Sequence, residues 1–435
     1  MKQIILVPIY YFFKYLVRIV LKIYHPRTHV LGQANLQQKG PLIVISNHPN
    51  TLLDPLHVAI RLPRYVHFLA NASLFKNPIL GWILNQLYCI PVQRTQDTDG
   101  KPLDNKEAFS RSNDFLSKGG CLYVAPEGTS WMEKRLHPLK TGTARIALSF
   151  EAEHDFKAGL QILPIGLIYD QPNLFGSRVQ ISVGTPVEVS KYQSSYASKP
   201  QETVRQLTDD LETILQNLII HTETLENESL FNEIQDLYYF SANVDYPTQV
   251  RHAQDIARTL LQLIQADGEA IKQLRHSIAK LQFILQKHQL SLKTYQNLSF
   301  PLLTPLSIFF SFPLFLVGLV FNWFVGALPM LLRKWMKPVI EYHSTFNVLG
   351  GLIAVILIYP FNIYVMESLL GVSFNGLQWW GVILSMLFTG IFAKNWELQL
   401  RKYLLHRRWL NFRKTYPGEA TEVTALASKI LEVFE

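Results

Sequence analysis

The chain has 435 residues, of which 48% are hydrophobic, and its formal net charge is +8. This length allows two or three domains, and the two cysteines, Cys89 and Cys121, are too few for a disulfide framework or a cysteine-type metal site, so we expect a reducing, cytosol-facing compartment. The excess of cations suits an anionic lipid surface or anionic substrates, and because the sequence has no helix-turn-helix, zinc-finger or RNA-binding motif, we expect no nucleic-acid partner.

Residues 1–28 are predicted to form a helix that lies in the membrane interface. Lys14, Arg18 and Lys22 are spaced by four residues and form one stripe on a helix whose other side is apolar. These cations interrupt any signal-peptide core, and no small-residue cleavage site follows. An apolar face beside a basic stripe is typical of an in-plane interfacial helix. The alternative is a tilted span whose cations reach the membrane surface.

Residues 29–198 are predicted to form an α/β domain, a mixed sheet covered by helices. Short apolar runs predict strands, and several are apolar throughout, which is typical of strands buried on both faces. Amphipathic segments at 105–119 and 141–154 predict helices between them. Such alternation is typical of α/β layer folds, which place their sites just after the strands. The strand runs are PLIVIS, YVHFLA, YCIPVQ, CLYVAPEG, QILPIGLIYD and VQISVG.

Residues 199–298 are predicted to form a helical insert, because apolar residues recur at helical spacing and the turn ADGEA separates two such stretches. We find no residues that carry chemistry in this region. Two apolar runs within 344–395 are each close to the ~20 residues that a membrane span requires. Cations precede the first run and fill the basic tail at 396–435, whereas the loop between the runs is uncharged. The positive-inside rule therefore places both outer flanks in the cytoplasm.

Residues 299–332 are too long for one comfortable span and short for two. One crossing would carry the α/β domain to the outer face, whereas a segment that enters and returns keeps every soluble part inside. Pro305, Pro313 and Pro329 permit breaks in a helix. We therefore predict a re-entrant or hairpin segment. The whole chain is then a multi-pass membrane protein with its α/β domain on the cytoplasmic face, and a bacterial inner membrane is the expected location.

His48 and Asp54 follow a predicted strand within SNHPNTLLDP. Positions i and i+6 of a helix face different directions, so these side chains meet only if the chain bends between them. Pro49-Asn50 provides such a bend, and Thr51 suits the start of a helix that carries Asp54 in its first turn. A histidine held by a carboxylate is a positioned general base, although a buried structural hydrogen bond explains most isolated His–Asp pairs.

Three further groups follow other predicted strands. Arg94 comes after YCIPVQ, and Glu127-Gly128-Thr129-Ser130 comes after CLYVAP. The glycine, the hydroxyls and the backbone N–H groups of the second group suit a phosphate. Lys140 follows, near the start of the next helix. Each group alone is an ordinary strand and turn, so the inference depends on their combination.

In this order the residues resemble the four motif blocks of the PlsC-type glycerolipid acyltransferases, over roughly residues 30 to 190. The family implies transfer of a fatty acyl group from acyl-CoA or acyl carrier protein to a hydroxyl of a glycerol phosphate or lysolipid. It implies no metal and no other cofactor. The blocks are His48 with Asp54, Arg94, Pro126-Glu127-Gly128-Thr129, and Ile162-Leu163-Pro164-Ile165-Gly166.

The chain departs from the usual family pattern at two places. Five residues rather than four separate His48 from Asp54, and Ser130 stands where the third block usually has arginine. Both departures resemble the fungal-type glycerol-3-phosphate and dihydroxyacetone-phosphate acyltransferases, a branch that also places Arg178 near the site. The missing arginine leaves open whether Lys140, Arg145 or Arg178 supplies the charge that binds the phosphate.

The resemblance implies that His48 is the general base, that Asp54 orients it, and that Arg94, Thr129, Ser130 and Lys140 hold the acceptor phosphate. Glu127 is expected to bond an acceptor hydroxyl, to pin a nearby cation, or only to hold the turn. Glycerol-3-phosphate is the preferred acceptor, in phospholipid biosynthesis, and 1-acylglycerol-3-phosphate or another lysophospholipid is the alternative.

Two interpretations from other classes stay open at this point. The first is a metal-dependent hydrolase that uses His48, Asp54 and Glu127 as ligands, since one histidine and two carboxylates can bind a metal. The second is a non-catalytic membrane scaffold that carries a degenerate acyltransferase domain.

Overall fold

The computed structural model describes residues 2–86, 89–94, 105–241, 244–292, 300–301 and 303–434. Two compact units make up the chain. The first contains Met1–Thr222 together with Val339–Thr345, and the second contains Glu223–Pro338 together with Phe346–Glu435.

Within the described residues, the first unit is built on an eight-stranded mixed sheet in the order β1-β7-β6-β2-β5-β3-β4, with β8 beside β6. Neighbouring strands are parallel except where β7 and β8 pair with β6. The six predicted strands and the mixed α/β class are confirmed. The strands are β1 Arg27–Leu31, β2 Leu42–Ser46, β3 Val66–Asn71, β4 Cys89–Val92, β5 Cys121–Val124, β6 Gln161–Tyr169, β7 Arg178–Val183 and β8 Val187–Glu188.

The register of the central strands brings three loops to one edge of the sheet. In β2, Ile45 lies opposite Val124 of β5, and Ser46 lies opposite Ile165 of β6. All five residues of β2 are buried, which agrees with its continuously apolar sequence. The loops after β2 and β5 therefore begin side by side, and β6 extends past them toward Tyr169.

Helices cover the sheet, and the last of them marks the end of the first unit. Gly166 of β6 lies so close to Leu218 that an added Cβ would stand 2.4 Å from the Leu218 carbonyl oxygen. The helix that carries Leu218 was predicted to belong to the helical insert, but the structure places the boundary after Thr222 rather than after residue 198. The helices are α1 Lys2–Tyr24, α2 Leu53–Ala59, α3 Pro78–Gln86, α4 Lys106–Leu116, α5 Gly142–Glu153, α6 Gln193–Ser198 and α7 Pro200–Leu218.

The N-terminal helix α1 turns two cations of its basic stripe toward the domain. Lys14 Nζ donates to the Leu62 carbonyl oxygen at 2.5 Å, and Arg18 donates to the Ile60 carbonyl oxygen at 2.8 Å. These carbonyls follow the C-terminal end of α2, where a helix attracts positive charge. Phe12 and Tyr15, in contrast, are 64% and 63% exposed. The aromatic face is thus the free one, and Lys14 and Arg18 bind protein where the sequence suggested lipid headgroups.

The second unit is helical. The predicted hairpin at ADGEA is formed by α9, Tyr246–Ala266, and α10, Gly268–Lys287. The basic tail predicted at 396–435 is largely helical in its described residues, which belong to the end of α13, Gly376–Thr415, and to α14, Pro417–Glu432. Lys280 of α10 pairs with Glu422 of the last helix at 2.6 Å, and Lys287 pairs with Glu419 at 2.9 Å. The helices are α8 Leu225–Ser241, α9 Tyr246–Ala266, α10 Gly268–Lys287, α11 Thr304–Met336, α12 His343–Leu370, α13 Gly376–Thr415 and α14 Pro417–Glu432.

The segment 299–332, expected to be re-entrant or a hairpin, lies largely in α11, which is one helix of 33 residues, so it does not form a hairpin of two separate helices. Re-entry into the membrane stays a prediction. Pro305 occupies the first turn of α11, where the missing N–H costs no hydrogen bond, and Pro313 and Pro329 lie inside the helix. Apolar helices tolerate internal prolines when neighbouring helices satisfy the freed backbone groups. By length and composition, three described helices could cross a membrane: Thr304–Met336, Ile340–Leu370 and Gly376–Thr415.

The two halves of α11 pack against different partners. In the first half, Trp396 of α13 donates its indole N–H to the Ile308 carbonyl oxygen at 3.1 Å. In the second half, Arg333 donates to the side chain of Asn347 of α12 at 2.7 Å. Between these contacts, Asn322 forms hydrogen bonds with both neighbouring helices.

Asn322 lies where α11, α12 and α13 meet. Its Nδ2 donates to the Met386 carbonyl oxygen of α13 at 3.0 Å, and its Oδ1 accepts the Tyr359 hydroxyl of α12 at 2.6 Å. Each partner stands near the middle of its apolar run. A small residue, Gly318, permits the close approach of α11 to α13, since an added Cβ would lie 2.1 Å from the Thr389 carbonyl oxygen.

Candidate active site

The chain bends after β2 and brings His48 and Asp54 together, as the sequence predicted. His48 Nδ1 lies 3.0 Å from Asp54 Oδ2. Asp54 is in the first turn of α2 and its side chain is fully buried, whereas 18% of the His48 side chain is exposed. The Nδ1 side of the ring is therefore held by a buried carboxylate, which leaves Nε2 as the nitrogen that can take a proton.

Two further donors fix the Asp54 carboxylate. The backbone N–H of Asn50 donates to Oδ2 at 2.6 Å, and the Tyr169 hydroxyl donates to Oδ1 at 2.7 Å. Burial and the adjacent Asp54 hold the pKa of Tyr169 well above its usual value, so the phenol remains a donor. Both carboxylate oxygens are thus occupied, and Asp54 has one orientation. The sequence did not single out Tyr169, whose only local signal is its position at the end of ILPIGLIYD.

Glu127 holds two loops together through their backbones. Its Oε1 accepts the N–H of His48 at 2.8 Å and its Oε2 accepts the N–H of His137 at 3.0 Å. Burial raises the pKa of this carboxyl to about 7, against the opposing effect of the two N–H donors. Of the three expectations for Glu127, these contacts match the one in which it holds the turn.

The turn after β5 carries the other third-block residues. Gly128 has a φ of +78°, a conformation that favours glycine. Arg94 donates to the Gly128 carbonyl oxygen at 3.1 Å, so the second and third blocks are in contact. Lys140 is exposed, and the aliphatic part of its side chain passes close to Gly128. The backbone N–H of Lys140 donates to the Pro126 carbonyl oxygen at 2.8 Å.

Thr129 and Ser130 are half-buried in the same turn. The turn is joined to the His48 loop, because the N–H of Trp131 donates to the His48 carbonyl oxygen at 3.1 Å. Cations and hydroxyls of the second and third blocks therefore stand beside the loop that carries His48, as a phosphate site next to a general base requires.

Arg178 is placed differently from the other candidates. At the start of β7, its Nε donates to Asp170 Oδ2 at 2.5 Å in an ion pair. Asp170 follows Tyr169 directly, so Arg178 lies near the same edge of the sheet, but its charge is compensated by a carboxylate. For this reason Arg94 and Lys140 are stronger candidates than Arg178 for binding an anion.

His25 and His57, the second of which lies in α2, form a buried pair that the sequence did not reveal. His25 Nδ1 is 2.9 Å from His57 Nε2, and Arg61 donates to His57 Nδ1 at 3.2 Å. Burial lowers the pKa of His25 to about 3 and that of His57 well below its usual value, so both rings are neutral. His57 packs edge-on against Tyr169, which connects the pair to the ring that holds Asp54.

The ligand set of the metal-hydrolase alternative is not assembled as the sequence allowed. Glu127 directs its oxygens to backbone N–H groups, and both Asp54 oxygens are bonded to protein donors. In the part of the chain that the structure describes, no group of three or more histidine, cysteine or acidic side chains is arranged to hold a metal ion.

Comparison with known proteins gives consistent results. The family model described as Acyltransferase matches residues 27–168. Glycerol-3-phosphate O-acyltransferase 2 of Saccharomyces cerevisiae is 35% identical over 120 residues, which are 26% of this chain and 16% of that protein. Glycerol-3-phosphate O-acyltransferase 1 of the same yeast is 25% identical over 313 residues, 71% of this chain and 39% of that protein.

A plant protein is similar over a shorter part of the chain. The chloroplastic 1-acyl-sn-glycerol-3-phosphate acyltransferase BAT2 of Brassica napus is 27% identical over 143 residues, 33% of this chain and 37% of that protein. This chain spans less than half the length of each of these three relatives.

Proposed function

Because the family model described as Acyltransferase matches residues 27–168, we propose that this chain transfers a fatty acyl group from acyl-CoA or acyl carrier protein to a hydroxyl of glycerol-3-phosphate. The observation that carries the proposal is the contact of His48 with the buried Asp54 within the matched residues, at 3.0 Å. This pair is the only group of the candidate site with the geometry of a general base, among the residues that the structure describes.

The chemistry is a direct transfer. His48 Nε2 takes the proton of the acceptor hydroxyl while the hydroxyl oxygen attacks the thioester carbonyl carbon. The new C–O bond forms, the C–S bond breaks, and the thiol leaves with the proton that His48 returns. Asp54 accepts the Nδ1–H of His48, so it selects the tautomer and stabilises the imidazolium. Tyr169 and the Asn50 N–H keep Asp54 in place.

The acceptor phosphate binds beside the base. Arg94 and Lys140 supply positive charge, and the hydroxyls of Thr129 and Ser130 are further donors. A phosphate held there positions a hydroxyl two carbons away toward His48, which is how binding energy assists this transfer. Glu127 has a structural part in this proposal, because it joins the His48 loop to the His137 loop by accepting a backbone N–H from each.

Similarity favours glycerol-3-phosphate over its acylated form. The match to the yeast glycerol-3-phosphate O-acyltransferase 1 covers 71% of this chain and therefore extends beyond the acyltransferase domain. The match to the plant 1-acyl-sn-glycerol-3-phosphate acyltransferase covers 33%. That second match makes 1-acylglycerol-3-phosphate, or another lysophospholipid, the second candidate acceptor.

We further propose that the first compact unit lies on the cytoplasmic face of a membrane. Residues 339–345 belong to the same compact unit as residues 1–222, so both lie on one side of the bilayer. Between residue 222 and Thr304, the described residues include no helix long and apolar enough to cross. Thr304 is then on that side as well, and α11 begins and ends on the same face.

In this arrangement α11 enters the bilayer and returns to the same face, which requires a bend between its two ends, and α12 and α13 cross out and back. The contacts of Asn322 near the middle of both neighbours agree with half-insertion of α11. Phe309 and Phe310, 72% and 74% exposed, would face lipid. The return of α13 agrees with the pairing of α14 with α10, since both then lie on the cytoplasmic side.

The test is acyl transfer by membranes that contain the full chain. Labelled palmitoyl-CoA, or palmitoyl carrier protein, is offered with glycerol-3-phosphate, dihydroxyacetone phosphate or 1-acylglycerol-3-phosphate in separate reactions. We expect acylated glycerol-3-phosphate from the wild type and none from His48→Ala, with unchanged product in the presence of a chelator. His276→Ala, on the exposed surface of α10, is the matched control.

The other outcomes are equally decisive. Product with 1-acylglycerol-3-phosphate alone would establish the second acceptor. No transfer to any acceptor from either donor would overturn the proposal in favour of a scaffold, and chelator-sensitive hydrolysis would favour the metal-dependent alternative.

A further inference from the structure

The bend between His48 and Asp54 contains a strained residue. Thr51 has a φ of +37°, a left-handed conformation that β-branched residues rarely adopt, and the residue is only 6% exposed. Such a conformation persists only where the surroundings hold it, and it is typical of functional sites. The question is which residues hold Thr51.

The contacts that hold Thr51 come from residues 341–345, about 290 positions later in the sequence. The Thr51 hydroxyl donates to the Glu341 carbonyl oxygen at 3.1 Å and bonds the Thr345 hydroxyl at 2.8 Å. The Glu341 oxygen can only accept and Thr51 has a single hydroxyl proton, so Thr345 is the donor in the second bond. Ser344, fully buried, donates to Asn50 Oδ1.

These contacts lead to the proposed base in two steps. Asn50, which receives the Ser344 hydroxyl, donates its backbone N–H to Asp54 Oδ2 at 2.6 Å. The same Asp54 oxygen faces His48 Nδ1 at 3.0 Å. Any rotation of the bend at Asn50 and Thr51 therefore changes the direction from which Asp54 meets His48.

We propose that Glu341, Ser344 and Thr345 form a positioning clamp that keeps the Asn50–Thr51 bend in its strained form and thereby sets the His48–Asp54 geometry. This inference rests on the proposed function of His48 as the base. Ser344 and Thr345 are positioning residues: they touch the bend rather than the reacting atoms. Because both lie in the first turn of α12, the clamp ties the site to the segment that leads into the apolar helices.

The experiment compares steady-state acyl transfer by six full-length variants, one of them a control, with that of the wild type. Thr345→Val and Ser344→Ala each remove a hydroxyl with little change in volume, and Thr345→Ser restores one. Thr51→Val with Thr345→Val forms a double-mutant cycle across one hydrogen bond. Thr421→Val, on the exposed face of α14, is the matched control.

The clamp predicts a loss in kcat rather than in binding. We expect Thr345→Val and Ser344→Ala to lower kcat about tenfold, the effect of about 1.4 kcal/mol on a barrier, with KM for both substrates within twofold. Thr345→Ser should keep most of the activity. Thr51→Val already removes the shared bond, so adding Thr345→Val should cause no further loss.

Several results would overturn the clamp. If the wild type is active, His48→Ala is inactive and Thr345→Val behaves like Thr421→Val, the clamp is wrong while the proposed function stands. Independent, multiplicative losses in the double variant, or a rise in KM with unchanged kcat, would also refute it. If the wild type transfers no acyl group, the proposed function and the clamp fail together.

Discussion

The Tyr169 hydroxyl donates a 2.7 Å hydrogen bond to Asp54, from the end of β6 to the first turn of α2. The two residues are 115 positions apart in the sequence, and the bond holds Oδ1, the oxygen of Asp54 that does not face His48. The carboxylate is thereby held between a phenol, a backbone N–H and an imidazole, and it orients the His48 ring, the proposed base, from its Nδ1 side.

Tyr169→Phe should impair catalysis while substrates still bind. Loss of one hydrogen bond to a buried charged group costs about 1.5–3 kcal/mol, so we expect a fall in kcat of tenfold or more with KM nearly constant. Steady-state kinetics measure this split. Tyr196→Phe, in α6, provides the control, and equal kinetics for both variants would show that Tyr169 has no part in aligning Asp54.

Glu127→Gln should disturb two loops at once. An amide has one oxygen acceptor, so either the His48 N–H or the His137 N–H loses its partner, at a cost of about 1–3 kcal/mol. We expect a lower melting temperature and strongly reduced transfer. Glu269→Gln, exposed in α10, should match the wild type. If Glu127→Gln kept its stability but lost only affinity for the acceptor, Glu127 would instead bind substrate.

Arg94 and Arg178 should respond differently to truncation. Arg94→Ala removes a guanidinium beside Gly128 in the proposed phosphate site, so KM for glycerol-3-phosphate should rise at least tenfold while KM for palmitoyl-CoA stays constant. Arg178→Ala breaks the pair with Asp170 and should raise the same KM less than threefold. Saturation curves for both substrates test the order, which the reverse ranking would contradict.

The buried pair of His25 and His57 predicts sensitivity to acid. The folded state lowers the pKa of His25 from 6.5 to about 3, and Arg61 faces the pair with its positive charge. The unfolded chain therefore binds protons more readily below pH 6.5, so the stability that the neutral ring contributes is present above pH 6.5 and is lost as the pH falls toward 3. The raised pKa of Glu127, about 7, has the opposite effect on stability. The folded state binds that proton more tightly, so its contribution to the free energy of unfolding grows as the pH falls below 7.

The measurement is thermal unfolding of the purified protein in detergent between pH 7.5 and 5. Each unit of pH below 6.5 costs about 1.4 kcal/mol for one such histidine. His25→Phe removes that titration, so its melting temperature should fall less on acidification than that of the wild type. His276→Gln, exposed on α10, should follow the wild type. Parallel pH curves for His25→Phe and the wild type would exclude the pair as the cause.

The proposed membrane arrangement predicts which positions react from outside. Cysteines at Leu303, Val339 and Val372, all well exposed, report on the two ends of α11 and on the uncharged loop. Burial of Cys89 and Cys121 raises the pKa of each thiol, so the native cysteines should react slowly. With a membrane-impermeant maleimide, we expect labelling of Val372→Cys in intact cells, and of the other two only after permeabilisation.

Opposite accessibility of Leu303→Cys and Val339→Cys would mean that α11 crosses the bilayer. The pairing of residues 339–345 with the acyltransferase domain would then require a different path for the chain.

Local chemistry explains why the His48–Asp54 contact could be predicted. A buried strand, Pro49-Asn50 and a helix start within ten residues leave few ways to arrange the two side chains. Tyr169 and Ser344 could not be found in that way, because their partners lie 115 and 294 residues away and each is an ordinary residue in its own segment. Family resemblance points to functional groups, whereas the residues that align them are visible only through packing.

The prolines of α11 do not by themselves decide its form. Pro313 and Pro329 permit breaks, yet the helix continues through both, because a proline removes only one hydrogen bond and neighbouring apolar helices can satisfy the freed backbone groups. The basic stripe of α1 was ambiguous for a similar reason: Lys14 and Arg18 can serve lipid phosphates or helix-end carbonyls, and only the fold shows that carbonyls take them.

The separation of 294 residues between Thr51 and Thr345 has a consequence for how the protein is made. The part of the chain that forms the sheet, His48 and Asp54 leaves the ribosome early. The Asn50–Thr51 bend gains its last hydrogen bonds only after α11 and the start of α12 have been translated. A newly made chain therefore carries an incomplete site until residues 341–345 emerge, which ties the formation of the site to the synthesis of the apolar helices.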